Sequence, residues 1–271
     1  MQTITRDQLA SHRVPPHSMT VWWLGQSGFL IKSPQGRLVV VDPYLSNSCK
    51  AIGDDAGFDM DRLVPPPLEP SELVDVDLYA MTHSHGDHLD PETLAGYRAA
   101  GGRGPYVVPA ETVEKLQQLG VAPEQIVMTW PNKIHKLDDL WIRATFAIPL
   151  GADDLTHVGY IIGVEGGPSL YVTGDTAYHD LLAEAAAPHR PDLLAVVING
   201  AFRNLSPAEA ARLARLLDVR VAIPCHYDLF PDNSLPLQLF RTNLKLEGIG
   251  DRYRQLEHGV PFTYQRDQAQ W

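Results

Sequence analysis

The segment from His83 to His88 limits what this chain can fold into more than any other part of its sequence. It reads His-Ser-His-Gly-Asp-His and comes just after the apolar run 78–81. Imidazoles and carboxylates at this density are the ligand types that bind borderline divalent cations. Because side chains that leave a strand end can point to one side of a turn, we interpret the segment as half of a site for two metal ions. A polar surface turn is the alternative, and the density of ligand types around Gly86 argues against it.

Composition predicts an ordinary globular chain rather than a disordered or fibrous one. The chain has 271 residues, of which 44% are hydrophobic and 20% charged, and no break in composition divides it, so we expect one domain over residues 1–271. Its formal charge of −11 leaves no broad positive face for nucleic acid or an anionic membrane. We therefore expect a small-molecule substrate and neither of those partners. The oligomeric state stays open, a homo-oligomer included.

The cysteine content indicates a reducing compartment. Cys49 and Cys225 are the two cysteines, and they form neither a disulfide framework nor a cysteine-rich zinc module. Residues 1–19 lack the apolar stretch of a signal peptide, and no run approaches the roughly 20 apolar residues of a membrane span. The expected location is the cytoplasm.

Hydrophobic patterning predicts a layered α/β (α+β) structure. Three closely spaced β-like runs open the chain, and strand and helix patterns alternate in its last third. Residues 43–70 are rich in Gly, Pro, Asp and Ser, which predicts a long lid or binding loop without a regular element. Strands are predicted at 20–24, 28–32, 37–41, 77–82, 106–108, 126–128, 140–148, 158–164, 169–173, 193–198, 219–223 and between 253 and 264. Helices are predicted at 90–100, 110–119, 179–187, 206–217 and 235–246.

Two further candidate ligands follow apolar strands directly. Asp175 comes after the run 171–174, and His226 comes after 221–224. A strand fixes the position of such a side chain and the turn exposes it, which suits a metal ligand. Asp175 could instead cap a helix, and His226 could be a packed core histidine. Since four potential ligands cannot complete two coordination shells, we expect both residues to join the cluster.

These motifs resemble the metallo-β-lactamase-fold hydrolases. The pattern His-x-His-x-Asp-His, the Gly-Asp strand end and the late strand-end histidine carry the resemblance. Within that superfamily the chain is most similar to the L-ascorbate-6-phosphate lactonase branch, through Trp-Trp-Leu-Gly at 22–25, Val-Asp-Pro at 41–43 and Ile-Pro-Cys-His-Tyr-Asp at 223–228. The resemblance covers about residues 20 to 245. It implies a four-layer αββα sandwich with two divalent metal ions, Mn or Zn, at one edge of the sheets, and hydrolytic activity.

The resemblance also implies a role for each motif residue. His83 and His85 would bind the first ion, and Asp175 would bridge both. The second ion would be bound by Asp87, His88 and His226. Asp42 would support the ligand turn through hydrogen bonds.

One departure from the superfamily pattern concerns the first ion. The superfamily usually supplies another histidine from the stretch that is 147–151 here, and this chain has none there. The nearest candidates for a metal or substrate contact are Asp153, Asp154 and His157. His157 could be a ligand, a substrate contact or the start of the next strand. A missing imidazole favours a harder ion such as Mn²⁺ over Zn²⁺.

The leading hypothesis is a hydrolase that opens a lactone or ester of a small polar substrate, phosphorylated or not. A water between two divalent ions loses its proton near neutral pH, and Asp87 could orient it and carry a proton to the leaving group. Tyr178, Asn199 and Arg203 are candidate substrate contacts. Arg203 and Lys50 could bind a phosphate or carboxylate, or could be ordinary surface charges.

Two rival functions remain. One is a metal-dependent phosphodiesterase of the N-acyl phosphatidylethanolamine phospholipase type. The other is a non-catalytic metal-binding protein that retains the site without turnover.

Overall fold

Two β-sheets lie face to face and carry the candidate ligands at their shared edge. The structure is a computed structural model that describes residues 2–149, 151 and 155–266. The strands in these residues are β1 (Ser18–Gly25), β2 (Gly28–Lys32), β3 (Leu38–Val41), β4 (Leu78–Ala80), β5 (Tyr106–Val108), β6 (Ile126–Met128), β7 (Ile134–Leu137), β8 (Leu140–Phe146), β9 (Val158–Val164), β10 (Ser169–Val172), β11 (Leu193–Val197), β12 (Val221–Cys225) and β13 (Phe262–Gln265).

Both sheets mix parallel and antiparallel pairing. The first sheet has the order β13-β1-β2-β3-β4-β5-β6, and its strands from β3 to β6 are parallel. The second has the order β12-β11-β10-β9-β8-β7, with β10, β11 and β12 parallel. Because parallel strands end at the same edge, the turns after β3, β4, β10, β11 and β12 can meet there.

Helices cover the outer face of each sheet. The helices in the described residues are α1 (Arg6–Ser11), α2 (Cys49–Ala56), α3 (Pro91–Ala99), α4 (Ala110–Gln118), α5 (Leu181–Ala186), α6 (Pro207–Leu216) and α7 (Leu237–Leu246). Leu94 of α3 and Leu116 of α4 share a buried cluster with Leu30 and Val40 of the first sheet. The helices α5, α6 and α7 pack on the second sheet through residues such as Leu213. The predicted four-layer αββα sandwich is therefore confirmed.

A continuous apolar core joins the two sheets. Val21 and Phe29 of the first sheet share one buried cluster with Tyr160 and Leu170 of the second. Every residue of β9 is buried, and so is every residue of β11. Strands covered on both faces need such uninterrupted apolar sequences, which is why these segments lack the alternation of a half-exposed strand. The rigid core fixes the strand ends from which the candidate ligands project.

Capping interactions mark the starts of two of the helices, those predicted at 90–100 and 206–217. The Asp90 side chain accepts a hydrogen bond from the Glu92 backbone N–H at the start of α3. Ser206 and Glu209 form a reciprocal capping box at the start of α6. These two helices begin where the caps put them. The capping box that starts α1 at Thr5 was not predicted.

The structure corrects the prediction for residues 43–70. The segment contains the helix α2, and a 3-10 turn (Pro70–Leu73) begins at its end, so the expected absence of a regular element is wrong. Gly57 ends α2 in the left-handed conformation with φ 80°, Pro43 precedes the helix, and the other prolines lie beyond Gly57. The prolines thus flank the helix rather than prevent it, and α2 accommodates Gly53 in its interior. Strand β7 was also missed, because its alternately half-buried residues carry little apolar pattern.

None of the helices in residues 2–149, 151 and 155–266 combines the length and apolar character that crossing a membrane requires.

Candidate metal centre

The ligand turn leaves the end of β4 and is fixed to both sheets. The backbone N–H of Asp42 donates to the Ala80 carbonyl at 3.1 Å, which ties the ends of β3 and β4 together. The Val158 N–H donates to the Thr82 carbonyl at 3.0 Å, which ties the turn to the second sheet. His83 and His88 are fully buried after this anchor. Backbone hydrogen bonds from both sheets therefore hold the turn in place.

The candidate ligands form two groups that could each hold a metal ion. His83, His85 and Asp175 make the first, and Asp87, His88 and His226 make the second. Within each group one atom of every side chain lies within 4.8 Å of the others. All six residues that the sequence nominates as ligands are thus brought together from three strand ends.

In the first group two histidines face each other across the turn. His83 Nε2 lies 2.9 Å from His85 Nδ1, and the two rings meet edge to face. His83 is buried, whereas His85 is exposed to the cavity above it. Asp175 enters from the end of β10.

The two histidines and Asp87 of the second group converge with Asp175 of the first group. His226 Nε2 lies 3.2 Å from Asp87 Oδ2 and 3.4 Å from Asp175 Oδ1. His88 Nε2 lies 3.2 Å from the same Asp175 oxygen and 3.6 Å from Asp87 Oδ2. Asp175 therefore contacts both groups, as a bridging ligand would.

Asp42 supports the turn from beneath. Its Oδ1 accepts the backbone N–H of Thr82 at 2.7 Å, and its Oδ2 accepts the Thr82 hydroxyl at 2.6 Å. Oδ2 also lies 2.8 Å from His88 Nδ1. This contact directs Nε2 of His88 toward the other ligands, which is how carboxylates orient metal-binding histidines.

Asp175 is held by a close approach of the Gly174 backbone to the Thr82 side chain. Gly174 has φ 60°, and a Cβ atom there would lie 2.8 Å from the Thr82 Cβ. Glycine is therefore required at this strand end. The Asn204 side chain donates to Asp175 Oδ2 at 2.8 Å, while its carbonyl oxygen accepts the Thr176 N–H at 2.9 Å.

Nearby carboxylates dominate the electrostatics of the second group. Burial alone would lower the pKa of His88, but Asp175, Asp87 and Asp42 outweigh burial and raise this pKa well above its ordinary value. Burial is likewise outweighed at His226, where Asp175 is the largest opposing influence and the pKa rises to about 9. The group thus attracts positive charge strongly.

His83 behaves in the opposite way. Burial, followed by the neighbouring charge of His88, lowers its pKa well below the ordinary value. A neutral imidazole is the form that binds a metal ion. For Asp87 and Asp175 burial acts to raise the pKa, yet the adjacent histidines lower both values below the usual range. Both carboxylates are consequently ionised at neutral pH.

Two buried atoms test whether these residues fit a metal ion. Among the described residues, neither His88 Nε2 nor Asp175 Oδ1 makes a hydrogen bond of good geometry, although the two atoms lie 3.2 Å apart. Leaving such atoms unpaired inside a protein is costly, and each suits coordination of a divalent cation. The donor set of imidazole nitrogens and carboxylate oxygens matches Zn²⁺ or Mn²⁺ chemistry. The residues present therefore fit divalent metal.

Gln26 belongs to the site and was not predicted. Its side-chain amide donates to Asp87 Oδ2 at 2.8 Å and lies 3.0 Å from His226 Nε2. Its backbone carbonyl accepts the His226 N–H at 3.0 Å and the Trp23 indole N–H at 3.0 Å. With φ 49°, Gln26 turns between β1 and β2 to reach both ligands. The one signal in the sequence is its place in a tight turn between two strands.

Three residues were candidates to replace the histidine that is missing from the stretch 147–151. Asp153 and Asp154 lie outside the described residues. His157 is buried, with its ring centroid 5.7 Å from that of His83. Its Nε2 lies 3.0 Å from the Ile148 carbonyl, and His157 belongs to neither ligand group. His157 thus lies next to the ligands and packs against the first of them.

The candidate substrate contacts differ in whether they line the cavity beside the candidate ligands. Arg203 lines a cavity beside the candidate ligands. Asn199 is buried and donates a hydrogen bond at 2.7 Å to Asn233, and Asn233 lines the same cavity. Tyr178 lies outside the cavity and accepts a hydrogen bond from Arg212 at 2.6 Å. Lys50 also lies outside, and its ammonium group is 3.1 Å from Asp61 Oδ2.

The cavity opens directly above the ligand turn. Its volume is about 530 Å³, within the range that small molecules occupy. His85, Asp87 and Asp175 form its floor. A bound molecule would therefore contact the ligand groups.

Comparisons with known proteins agree with this geometry. Residues 20–226 match the sequence model of a family described as "Beta-lactamase superfamily domain". A probable L-ascorbate-6-phosphate lactonase from Salmonella heidelberg is 26% identical over 297 residues, which cover 96% of this chain and 82% of that protein. A metal-dependent hydrolase from Myxococcus xanthus is 29% identical over 222 residues, covering 78% of this chain and 71% of its own length.

Solved structures share the architecture. Igni18, a metallo hydrolase from Ignicoccus hospitalis, superposes with a TM-score of 0.71 at 21% identity over 92% of this chain and all of its own. An isothiocyanate hydrolase from Delia radicum gut bacteria gives 0.72 at 16% identity, with 90% and 99% covered. At these identities the likeness shows the fold.

Proposed function

The chain belongs to the metallo-β-lactamase superfamily of metal-dependent hydrolases, and from that premise we propose that it opens a lactone or ester with two divalent cations. The observation that carries the proposal is the pair of ligand groups that meet at Asp175 below an open cavity. Mn²⁺ or Zn²⁺ held by these residues would supply the Lewis acidity that ester hydrolysis needs at neutral pH.

The side chains of this chain position the reacting groups. Asp87 lies at the cavity floor with 13% of its side chain exposed, and Gln26 fixes its Oδ2 by a hydrogen bond. Its other oxygen would orient the attacking water and accept a proton from it. The same atom would then return the proton to the leaving alkoxide. Asp42 and Asn204 would keep His88 and Asp175 in place during these steps.

A substrate panel tests the proposed reaction against its rivals. Protein loaded with Mn²⁺ or Zn²⁺ is assayed with γ-lactones, p-nitrophenyl esters and bis(p-nitrophenyl) phosphate. We expect turnover of lactones or esters, and a loss of at least 100-fold in kcat for Asp87→Asn, because general acid–base catalysis contributes about 10²- to 10⁴-fold. Asp139→Asn is the matched control, since Asp139 is a buried aspartate on the Ser33 hydroxyl, outside both ligand groups.

Two outcomes would contradict the proposal. Turnover of the phosphodiester alone would establish the phosphodiesterase. Two bound ions with no turnover of any compound would establish a non-catalytic metal-binding protein.

A further inference from the structure

The wall of the cavity beside the candidate metal centre is apolar. Ile52, Met60 and Phe202 line it above the polar floor. Ile52 is 58% exposed and Phe202 is 50% exposed, although both are large hydrophobic residues. Exposed apolar side chains that cluster at a cavity mouth mark a binding surface, since solvent exposure gives them no benefit otherwise.

The apolar wall is assembled from two distant segments. Phe58, which follows α2, meets Phe202, which follows β11, edge to face with ring centroids 5.4 Å apart. Gly53 allows α2 to pack tightly on this wall, because a Cβ there would lie 2.6 Å from the Met60 Cγ. Met60 and Phe58 are thus held beside the cavity by close packing rather than left on a free loop.

The rim next to this wall carries negative charge. Asp54, Asp55 and Asp59 are exposed on α2 and the segment that follows it, and Asp61 in the same segment is half-buried. Such a cluster lowers the local concentration of anions and raises that of neutral or cationic molecules. A phosphorylated substrate and an anionic membrane surface would both be repelled from this mouth.

The cations near the wall are committed elsewhere. Lys50 pairs with Asp61 at 3.1 Å, and Arg62 donates to the carbonyls of Tyr44 and Ser46 at 2.8 and 3.1 Å. Among the described residues that line the cavity, Arg203 is the one lysine or arginine. Phosphate sites are usually built from several cationic or backbone donors, and the described lining contributes one cationic side chain to such a set.

From the wall, the rim and the cations together we infer that this cavity takes the alkyl or aryl group of a neutral lactone or ester. The inference rests on the proposed function and names the substrate class of the same site. The scissile group would lie over Asp87 and Asp175 while the apolar group packs on Ile52 and Phe202. This substrate differs from the phosphorylated lactone in the name of the Salmonella relative.

A matched series of γ-lactones tests the inference by kinetics. The side chain is lengthened from methyl to hexyl, and a γ-lactone with a phosphorylated side chain is included. We expect kcat/KM to rise about threefold per added methylene until the wall is covered, since each buried methylene contributes that much to binding. The phosphorylated lactone should be at least tenfold poorer than the hexyl compound. A higher kcat/KM for the phosphorylated lactone would overturn the inference and leave the proposed function standing.

Binding of a lactam gives a readout that does not depend on turnover. The probes are 5-hexyl-2-pyrrolidinone and its analogue with a phosphorylated side chain, measured by calorimetry or ligand-detected NMR. We expect Phe202→Ala and Ile52→Ala each to weaken binding of the hexyl lactam by about five- to tenfold. Leu246→Ala is the matched control, because Leu246 is 80% exposed on α7, outside the cavity lining.

The two readouts separate the inference from the function it rests on. Binding of the hexyl lactam with no hydrolysis of any lactone or ester would refute the proposed function and support an apolar ligand site. Hydrolysis of lactones with equal binding by the wild type, Phe202→Ala and Ile52→Ala would refute the apolar wall and leave the hydrolase in place. Tighter binding of the phosphorylated lactam than of the hexyl lactam would also overturn the inference.

Discussion

The carboxylate of Asp42 lies 2.8 Å from Nδ1 of His88, and both side chains are fully buried. The same carboxylate receives two hydrogen bonds from Thr82, so one residue fixes both the backbone and an imidazole of the ligand turn. The opposite ring nitrogen of His88 then points at Asp175. This relationship explains how a short turn can hold several ligands in one orientation.

Removing the charge of Asp42 should weaken metal binding without removing a ligand. We expect Asp42→Asn to lower the affinity for Zn²⁺ or Mn²⁺ by about 10- to 100-fold, because histidine orientation and basicity depend on this carboxylate. Competition with a chelator measures the affinity, and Asp139→Asn controls for the loss of a buried carboxylate. Equal affinities in wild type and Asp42→Asn would show that Asp42 has no influence on the ligands.

The amide of Gln26 should matter for turnover more than for metal content. Replacing Gln26 by Leu removes the donor to Asp87 Oδ2. We expect kcat to fall by about 10- to 100-fold, which corresponds to the loss of one buried hydrogen bond to a charged group. Elemental analysis should find the metal content of the wild type. A variant with unchanged kcat would exclude Gln26 from positioning Asp87.

The close approach at Gly174 predicts a stability difference between two glycine variants. Gly174→Ala places a methyl group against Thr82, whereas Gly248→Ala has nothing within 4 Å of its new Cβ. Both positions have positive φ, so the backbone cost of about 1 kcal/mol is shared. Overpacking should cost Gly174→Ala a further 1–3 kcal/mol or so in the free energy of unfolding, measured in urea. Equal losses would contradict the close approach.

His258 predicts a pH dependence of stability. Its ring packs on Trp23 in a tilted arrangement with centroids 4.2 Å apart, and burial, followed by the charge of Arg62, lowers its pKa from 6.5 to about 4. The unfolded state therefore binds a proton that the folded state rejects. The contribution of His258 to the free energy of unfolding is therefore complete above about pH 6.5 and is lost as the pH drops toward 4, by about 3 kcal/mol in total.

Urea unfolding between pH 4 and 7 checks this dependence against His258→Phe. Phenylalanine keeps a ring on Trp23 and has no group to protonate, so the difference in unfolding free energy between the two proteins should vary with pH over that window. A constant difference would show that His258 titrates alike in both states.

The candidate ligands could be located from the sequence because each is marked by its own neighbours. His83 to His88, Asp175 and His226 all follow apolar strands, and strand ends are readable from local pattern. Helix starts such as Asp90 were predictable for the same reason, since a cap acts within a few residues.

The supporting and lining residues depend on contacts across the fold. Gln26 lies 200 positions from His226 in the sequence, and the packing of the two sheets against each other brings the two side chains together. Phe202 forms part of the cavity wall together with Phe58, which it contacts. Phe58 lies on a segment that was expected to be a loop and that contains the helix α2. No local pattern marks a glutamine as a ligand support or an exposed phenylalanine as part of a cavity wall.

The central claim is that two ligand groups, which meet at Asp175, each hold one divalent cation. Elemental analysis of metal per chain tests this claim most directly. We predict two equivalents in wild-type protein, and at most one in Asp175→Ala and in His85→Ala, since each variant removes a ligand from the first group. Circular dichroism confirms that the variants are folded. A single equivalent in the wild type, or two equivalents retained in folded Asp175→Ala, would contradict the account.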